Sequence, residues 1–233
     1  ATGRVIVDGS GRPVRMVGIC RDVTDHKRAE DARTFLTEAS RVLATTLAPE
    51  TILANLAQLV VLSLADWCIV QVMDLEGRLQ PVEIMHRQRE RTALMDEFLR
   101  RWPSRPDTPG STAFVSSTGQ SILIPRITED MLRQRADQNT AQLRLLRELR
   151  LYSAITVPLQ ARGRTLGALT LLSAESEQVY DEADLRFVED FASRAALAID
   201  NAQLYAAAQS AIKARDDMVA KVTHDRREPL EQH

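Results

Sequence analysis

Near the C-terminal end of the 233-residue chain, Val222-Thr-His224-Asp225-Arg226-Arg227-Glu228-Pro229 sets an imidazole beside a carboxylate, with Arg three residues after the histidine and Pro five after it. An exposed imidazole titrates near neutral pH and is a competent acceptor of a phosphoryl group, and an adjacent carboxylate orients the ring and takes its proton. Pro229 cannot donate to the carbonyl of Asp225, so a helix bends beside the acceptor. A lone surface histidine at a charged helix end is the plain alternative. Catalysis by the chain alone is not expected. Phosphoryl transfer needs a nucleotide cradle and metal-binding side chains, and the sequence offers neither a Gly-rich phosphate loop nor an acidic metal pair. His224 is at most a substrate here.

The element that must position this histidine is a long helix. Asp181-Glu-Ala-Asp-Leu185 opens it, it runs past Tyr205, and residues 206–222 continue it. Leu204, Tyr205, Ala208, Ala211, Ile212, Met218, Val219 and Val222 form a near-heptad stripe interrupted by Arg215, the pattern of a paired helix. Before it, residues 153–176 hold two runs of alternating apolar residues on either side of Arg162-Gly163-Arg164, a β-hairpin signal. With Gly163 in the turn, Ile155, Val157, Leu159, Leu169 and Leu171 share one face, and Ala154, Thr156, Pro158, Ala168 and Thr170 the other. The first is a core face. The second is small, and leaves volume for closely packed helices or for a ligand.

Further upstream, Arg4-Val-Ile-Val7 and Val14–Ile19 flank a turn at 8–13, a second hairpin, too small to be a domain by itself; disorder or pairing with a neighbouring chain is expected for it. A helix is expected from Asp25 to Leu47, ended by Ala48-Pro49. Its stripe of Ala29, Ala32, Leu36, Ala39, Leu43 and Thr46 suits either a parallel dimer or its own domain. Then come a helix at 49–64, strands at 67–73 and 79–86, a surface helix at 89–101, and an irregular stretch at 102–110 carrying three prolines. A short helix, a Thr118-Gly119 turn and a buried strand fill 111–125, and a polar helical segment spans 127–149. This order gives an α+β fold with one antiparallel sheet.

Composition limits the partners. With 30 basic and 32 acidic residues, net -2, nothing global suits nucleic acid or an anionic membrane. Aromatic content of 4% argues against a base-stacking platform. Cys20 and Cys68 are too few and too far apart for a disulfide framework or a metal site, which points to a reducing, cytoplasmic compartment. Asn55, Gln58, Ser63, Asp66 and Gln71 interrupt the most apolar window, so no run reaches the ~18 residues of a transmembrane helix. The chain begins Ala1-Thr-Gly-Arg4 and reads as part of something longer.

Three stretches resemble known families. Gly18-Ile-Cys-Arg-Asp22-Val-Thr24-Asp-His-Lys27 resembles the end of a PAS domain, in which the Asp-Val-Thr triplet couples the last strand to an output helix; residues 1–24 are then its C-terminal fragment, and 25–47 a linker that also supplies the first helix of the next domain. Val115-x-x-Thr118-Gly-Gln-x-Ile-Leu-Ile-Pro125, Ser153-Ala-Ile-Thr-Val-Pro-Leu159, Gly167-Ala-Leu-Thr-Leu171 and Tyr180-Asp-Glu-Ala-Asp-Leu-Arg-Phe-Val-Glu-Asp-Phe-Ala192 resemble a GAF domain over 33–204. The resemblance implies an antiparallel sheet of about five to six strands, helices on one face and a small-molecule pocket on the other. Residues 205–233 resemble a signalling helix and the start of a histidine-kinase phosphoacceptor domain, with His224 as acceptor and Asp225 as orienting base; Arg226 stands where that family usually has Leu.

Together these imply the sensory and relay segment of a cytoplasmic two-component histidine kinase, dimeric, inactive without its ATP-binding domain, and serving a response regulator in the full-length protein. A ligand-free GAF dimerisation and spacing module is the alternative. Residues expected to line the GAF pocket are Phe114, Ile124, Met131, Tyr152, Thr156 and Thr170, each equally suited to simple core. The ligand is not specified. The Asn-Lys pair of cyclic-nucleotide-binding members is missing, Cys68 sits mid-strand and argues against a covalent bilin, no metal site is expected, and His86 reads as a hydrogen-bonded or surface residue rather than a haem ligand.

Overall fold

The computed structural model describes residues 2–19, 24–43, 46, 48–74, 76, 78–106, 108 and 111–225. The chain divides into two compact units, Ala1–Glu38 and Ala39–His233. In the first, strands β1 (Thr2–Val7) and β2 (Pro13–Ile19) pair antiparallel from Thr2↔Ile19 to Val7↔Pro13. They form an ordered hairpin, and the reason is local. Asp8 Oδ1 accepts from the backbone N–H groups of Ser10 and Arg12, each at 2.9 Å, and from the Ser10 hydroxyl at 2.7 Å, which holds the turn shut. Helix α1 (Thr24–Leu43) comes after them. Ala44, Thr45 and Leu47, to which the sequence extended this helix, lie outside the described residues, as do Asp22 and Val23 of the PAS-like triplet.

The second unit is built on a five-stranded antiparallel sheet of order β4-β3-β7-β6-β5. Helix α2 (Pro49–Ser63) precedes β3 (Trp67–Met73) and β4 (Leu79–His86). A 3-10 turn at Arg89–Arg91 leads into α3 (Thr92–Arg101), and α4 (Thr112–Thr118) into β5 (Ile122–Ile124). Helices α5 (Glu129–Ala136) and α6 (Thr140–Glu148) come next, then β6 (Ser153–Ala161), β7 (Arg164–Ser173) and α7 (Glu182–Asp225). The segment expected to be one helical stretch is two helices because Asp137 and Gln138 take positive φ, 43° and 63°, and the Asn139 side chain then caps α6 by accepting from Gln142 N–H at 2.9 Å.

The β6–β7 hairpin turns on Arg162 and Gly163, with φ of 49° and 75°, as a two-residue turn requires when its twist must match the strands. The register Ile155↔Leu171, Val157↔Leu169 and Thr156↔Thr170 places every residue on the face assigned from the alternation. On the core face Ile155, Val157, Leu159, Leu169 and Leu171 are all 0% exposed. Against this face lie α2, through Ile52, Leu56, Ala57 and Val60, and α7, through Val188, Phe191, Ala192, Ala195, Ala196, Ile199 and Ala202. The alanines recur at helical spacing and let the α7 backbone approach the sheet closely. Ala39 and Leu43 of the α1 stripe are also buried, and Arg194 Nη1 donates to Ser40 Oγ at 3.2 Å. Helices therefore cover both faces of the sheet rather than one, because α3 to α6 roof the small face.

Candidate functional site

Two cross-strand rows make the floor of a cavity on the small face. Ile124, Ala154, Leu172 and Trp67 are paired in sequence across β5, β6, β7 and β3, and Ile122, Thr156, Thr170 and Ile69 form the adjacent row. Ala154 and the two threonines are short beside their neighbours, so the floor is indented at its centre. The threonine hydroxyls lie 3.3 Å apart and are buried. The roof comes from α3, α5 and α6. Met95, Phe98 and Leu99 of α3 face Met131, Leu132 and Arg135 of α5 and Leu146 and Leu149 of α6. The space between floor and roof is about 480 Å³ and open to solvent on one side, within the range of small-molecule sites and apolar for most of its lining.

Ile124, Met131, Thr156 and Thr170 are brought together at this cavity, and Phe114 and Tyr152 are not. Phe114 is half-buried on α4, where its carbonyl accepts from the Ser117 and Thr118 hydroxyls. Tyr152 is tied at the sheet edge, its hydroxyl accepting from Arg126 Nη1 at 3.1 Å with that guanidinium 5.1 Å from its ring centre. The sequence also placed α3 at the surface, whereas Met95 and Phe98 are only 2% and 6% exposed and form much of the roof. Their spacing with Leu99 and Trp102 is the signal that marks a buried helical stripe.

Among the described residues Arg135 is the one charged member of the lining. Burial pushes its guanidinium below the ordinary range. A broader groove of about 640 Å³ lies on the same sheet face, with Leu99 common to both. It runs between Gln71 of β3, Arg100 of α3, Pro103 and Ser116 of α4, and the Oε1 of Gln71 and Oγ of Ser116 are buried there without a hydrogen-bond partner.

Other reactive groups are held elsewhere. His86 is buried; its Nδ1 accepts from Gln88 N–H at 2.9 Å, its Nε2 meets Glu175 at 3.2 Å, and Glu175 pairs in turn with Arg91. Cys68 is fully buried on the core face of β3, where desolvation and then Glu83 push its thiol far up, so it is not a nucleophile. Among the described residues no group of histidine, cysteine and acidic side chains is arranged to hold a metal ion. His224 and Asp225 lie in the last turn of α7.

A sheet of this order, roofed by helices over a cavity and flanked by a long exit helix, has a sequence counterpart: the family model of the GAF domain matches residues 48–199. The chain belongs to the GAF domain family. Solved GAF-like structures agree in fold. The GAF domain of a phosphoenolpyruvate-protein phosphotransferase from Coxiella burnetii is 15% identical at a TM-score of 0.56, covering 77% of this chain and 98% of its own. The free methionine-R-sulfoxide reductase from Neisseria meningitidis is 16% identical at 0.53, covering 81% and 97%. A GAF domain/HD domain protein from Geobacter sulfurreducens is 18% identical at 0.51, covering 71% and 98%. No curated protein matches the chain. No helix among the described residues of this GAF chain is long and apolar enough to cross a membrane.

Proposed function

We propose that this chain is the sensory and relay segment of a two-component histidine kinase. Its GAF domain takes a small molecule and biases the exit helix that carries His224, the phosphoryl acceptor, with Asp225 as its orienting base. In this reading residues 1–24 close a PAS domain, 25–47 link it to the GAF domain of 33–204, and 205–233 begin the phosphoacceptor domain. The ATP-binding domain and the response regulator belong to the full-length protein. The observation that carries the sensing part is the 480 Å³ cavity under α3, α5 and α6, because a spacer domain needs no such space and a packed small face would have served it better.

The relay part rests on α7. That helix crosses the core face of the sheet, and from Gln203 to Arg215 every residue is exposed, including Leu204, Tyr205 and Ile212 of the stripe, with Met218 beyond at 70%. Large apolar residues left bare in one line suit a parallel partner helix, so the working unit is a homodimer. Native mass spectrometry of the purified chain beside its denatured mass tests both parts. A dimer that carries a reproducible extra mass, released on denaturation, is the expected result. A clean dimer with nothing bound favours the ligand-free spacing module, and a monomer removes the paired-helix argument from both readings. Acid-labile phosphate on the full-length protein, lost in His224→Ala, tests the acceptor.

A further inference from the structure

Arg135 is four residues after Met131 and so shares its face of α5, which turns both side chains to the cavity. The half-buried guanidinium has no hydrogen bond, ion pair or ring contact among the described residues. Its neighbours on the helix explain why. The positions one turn away from it, Met131, Leu132, Gln138 and Asn139, carry no acid, and Glu129, on another face, is engaged by Arg133 Nε at 3.2 Å and Arg147 Nε at 3.1 Å, which ties α5 to α6. Among the described residues no aspartate or glutamate lines the cavity. An arginine cannot shed its proton to escape such surroundings, so a partly desolvated guanidinium without a counter-charge is a cost that an incoming anion removes.

Resting on the ligand-sensing reading above, we infer that the cavity takes a small apolar carboxylic acid, its carboxylate paired with Arg135 and its hydrocarbon body laid over the floor between Ile69 and Leu172. The planar fork of a guanidinium matches a carboxylate in a two-point contact. A phosphate is a poorer fit, because it brings more charge and more acceptor oxygens than one guanidinium satisfies, and the described residues of the lining add no second cation. The Thr156 and Thr170 hydroxyls, bonded to each other at 3.3 Å, are the polar feature of the floor and give an oxygen substituent on the body a place to bind. Most of the remaining lining is Ile, Leu, Phe and Met, with Thr108, Ser111, Thr112 and Gln134 the other polar members, so the site selects a largely apolar body.

The test is calorimetric titration of the purified chain with straight-chain and aryl carboxylic acids of roughly six to twelve carbons, sizes suited to a cavity in this range, each beside its neutral primary amide. The acids are expected to bind about tenfold or more tightly than their amides, the margin of a charge-assisted pair. In Arg135→Met the acid falls to the level of the amide while the amide is unchanged. Because that variant removes an unpaired cation, its thermal midpoint is expected to equal or exceed that of the parent, which separates lost binding from lost folding. Acid and amide binding alike, or an acid affinity unaffected by the substitution, overturns the carboxylate assignment and leaves ligand sensing standing. Binding of neither class by the parent overturns both.

Discussion

Gly167→Ala is expected to unpair the end of the β3–β7 ladder beside the broader groove. Gly167 faces Val72 on β3 and Leu159 on β6. A Cβ built there would sit 2.0 Å from the carbonyl oxygen of Gln71 and 2.8 Å from Val72 Cα, where ordinary contact begins at 3.4 Å. Both obstacles are backbone, so relief requires β7 to move away from β3 by about 1.4 Å, a large share of the ~4.8 Å between paired strands. A displacement of that size breaks the ladder bonds at this end of the strand pair. Val72↔Gly167 is the last pair of this ladder, so the damage is confined to one or two bonds and the packing beside them. At roughly 1 kcal/mol per ladder bond plus loosened packing, the loss is about 2–4 kcal/mol. Urea unfolding followed by far-ultraviolet circular dichroism measures it. Gly163→Ala is the control. Its Cβ meets open space and only its φ of 75° is unfavourable, so it should cost about 1–2 kcal/mol. A Gly167→Ala variant no less stable than the control would refute the close-approach argument.

Three further outcomes are expected. Gln71→Met replaces a buried amide whose oxygen lacks a partner with an apolar chain of similar shape, and should raise stability by about 1 kcal/mol in the same urea assay, whereas a loss would show that the amide contributes through its nitrogen or is satisfied. Asp66 is buried; desolvation raises its pKa, but hydrogen bonds from the Ser176 hydroxyl at 2.6 Å, Ala174 N–H at 2.7 Å and Ser176 N–H at 2.9 Å, with the Arg87 charge, outweigh this and hold it below 3.8. Because the folded value lies below the unfolded one, the stability it contributes is complete above 3.8 and is lost as pH falls through the folded value. Asp66→Asn should thus unfold at lower temperature than the parent at pH 7, the gap closing in acid; a gap that does not depend on pH contradicts the assignment. Finally, Leu204→Glu with Ile212→Glu should give monomer by sedimentation with the near-ultraviolet spectrum of the sheet unit intact, and a persisting dimer would place the interface elsewhere.

The hairpin and its two faces were legible in the sequence because alternation has a period of two and the turn had only one place to sit. The floor residues Thr156 and Thr170 followed from that register. The roof did not follow, for a physical reason: whether an amphipathic helix lies on a sheet or at the surface depends on the depth to which tertiary packing draws it, and α3 has an apolar stripe that suits either. Phe114 and Tyr152 were misleading in another way. Aromatic residues next to a small face look like lining, but Tyr152 has a polar tip, and Arg126 at the sheet edge satisfies it. Arg135 looked like one more charge on a polar helix. What sets it apart is the packing of α5 over the sheet, which turns it into a mostly apolar lining.

The same two strands link the cavity to the exit helix. Thr156 and Thr170 form its floor, while Ile155, Val157, Leu169 and Leu171, alternating with them, pack beneath α2 and α7. One sheet thickness therefore separates a ligand from the helices that would report it. The hairpin tip makes a second link: Arg164 Nη2 donates to Asp200 Oδ1 at 2.9 Å and Arg162 Nη2 to Asn201 Oδ1 at 2.8 Å, with Asp200 1% exposed on α7. The energy available through these links is limited. Moving a two-state relay from one extreme to the other takes about 5.5 kcal/mol of differential affinity, and one charge-assisted pair supplies about 1.5–3 kcal/mol. On the proposed reading, a ligand anchored on Arg135 would shift the balance of α7 by degrees, and a full switch would require a second input added to it.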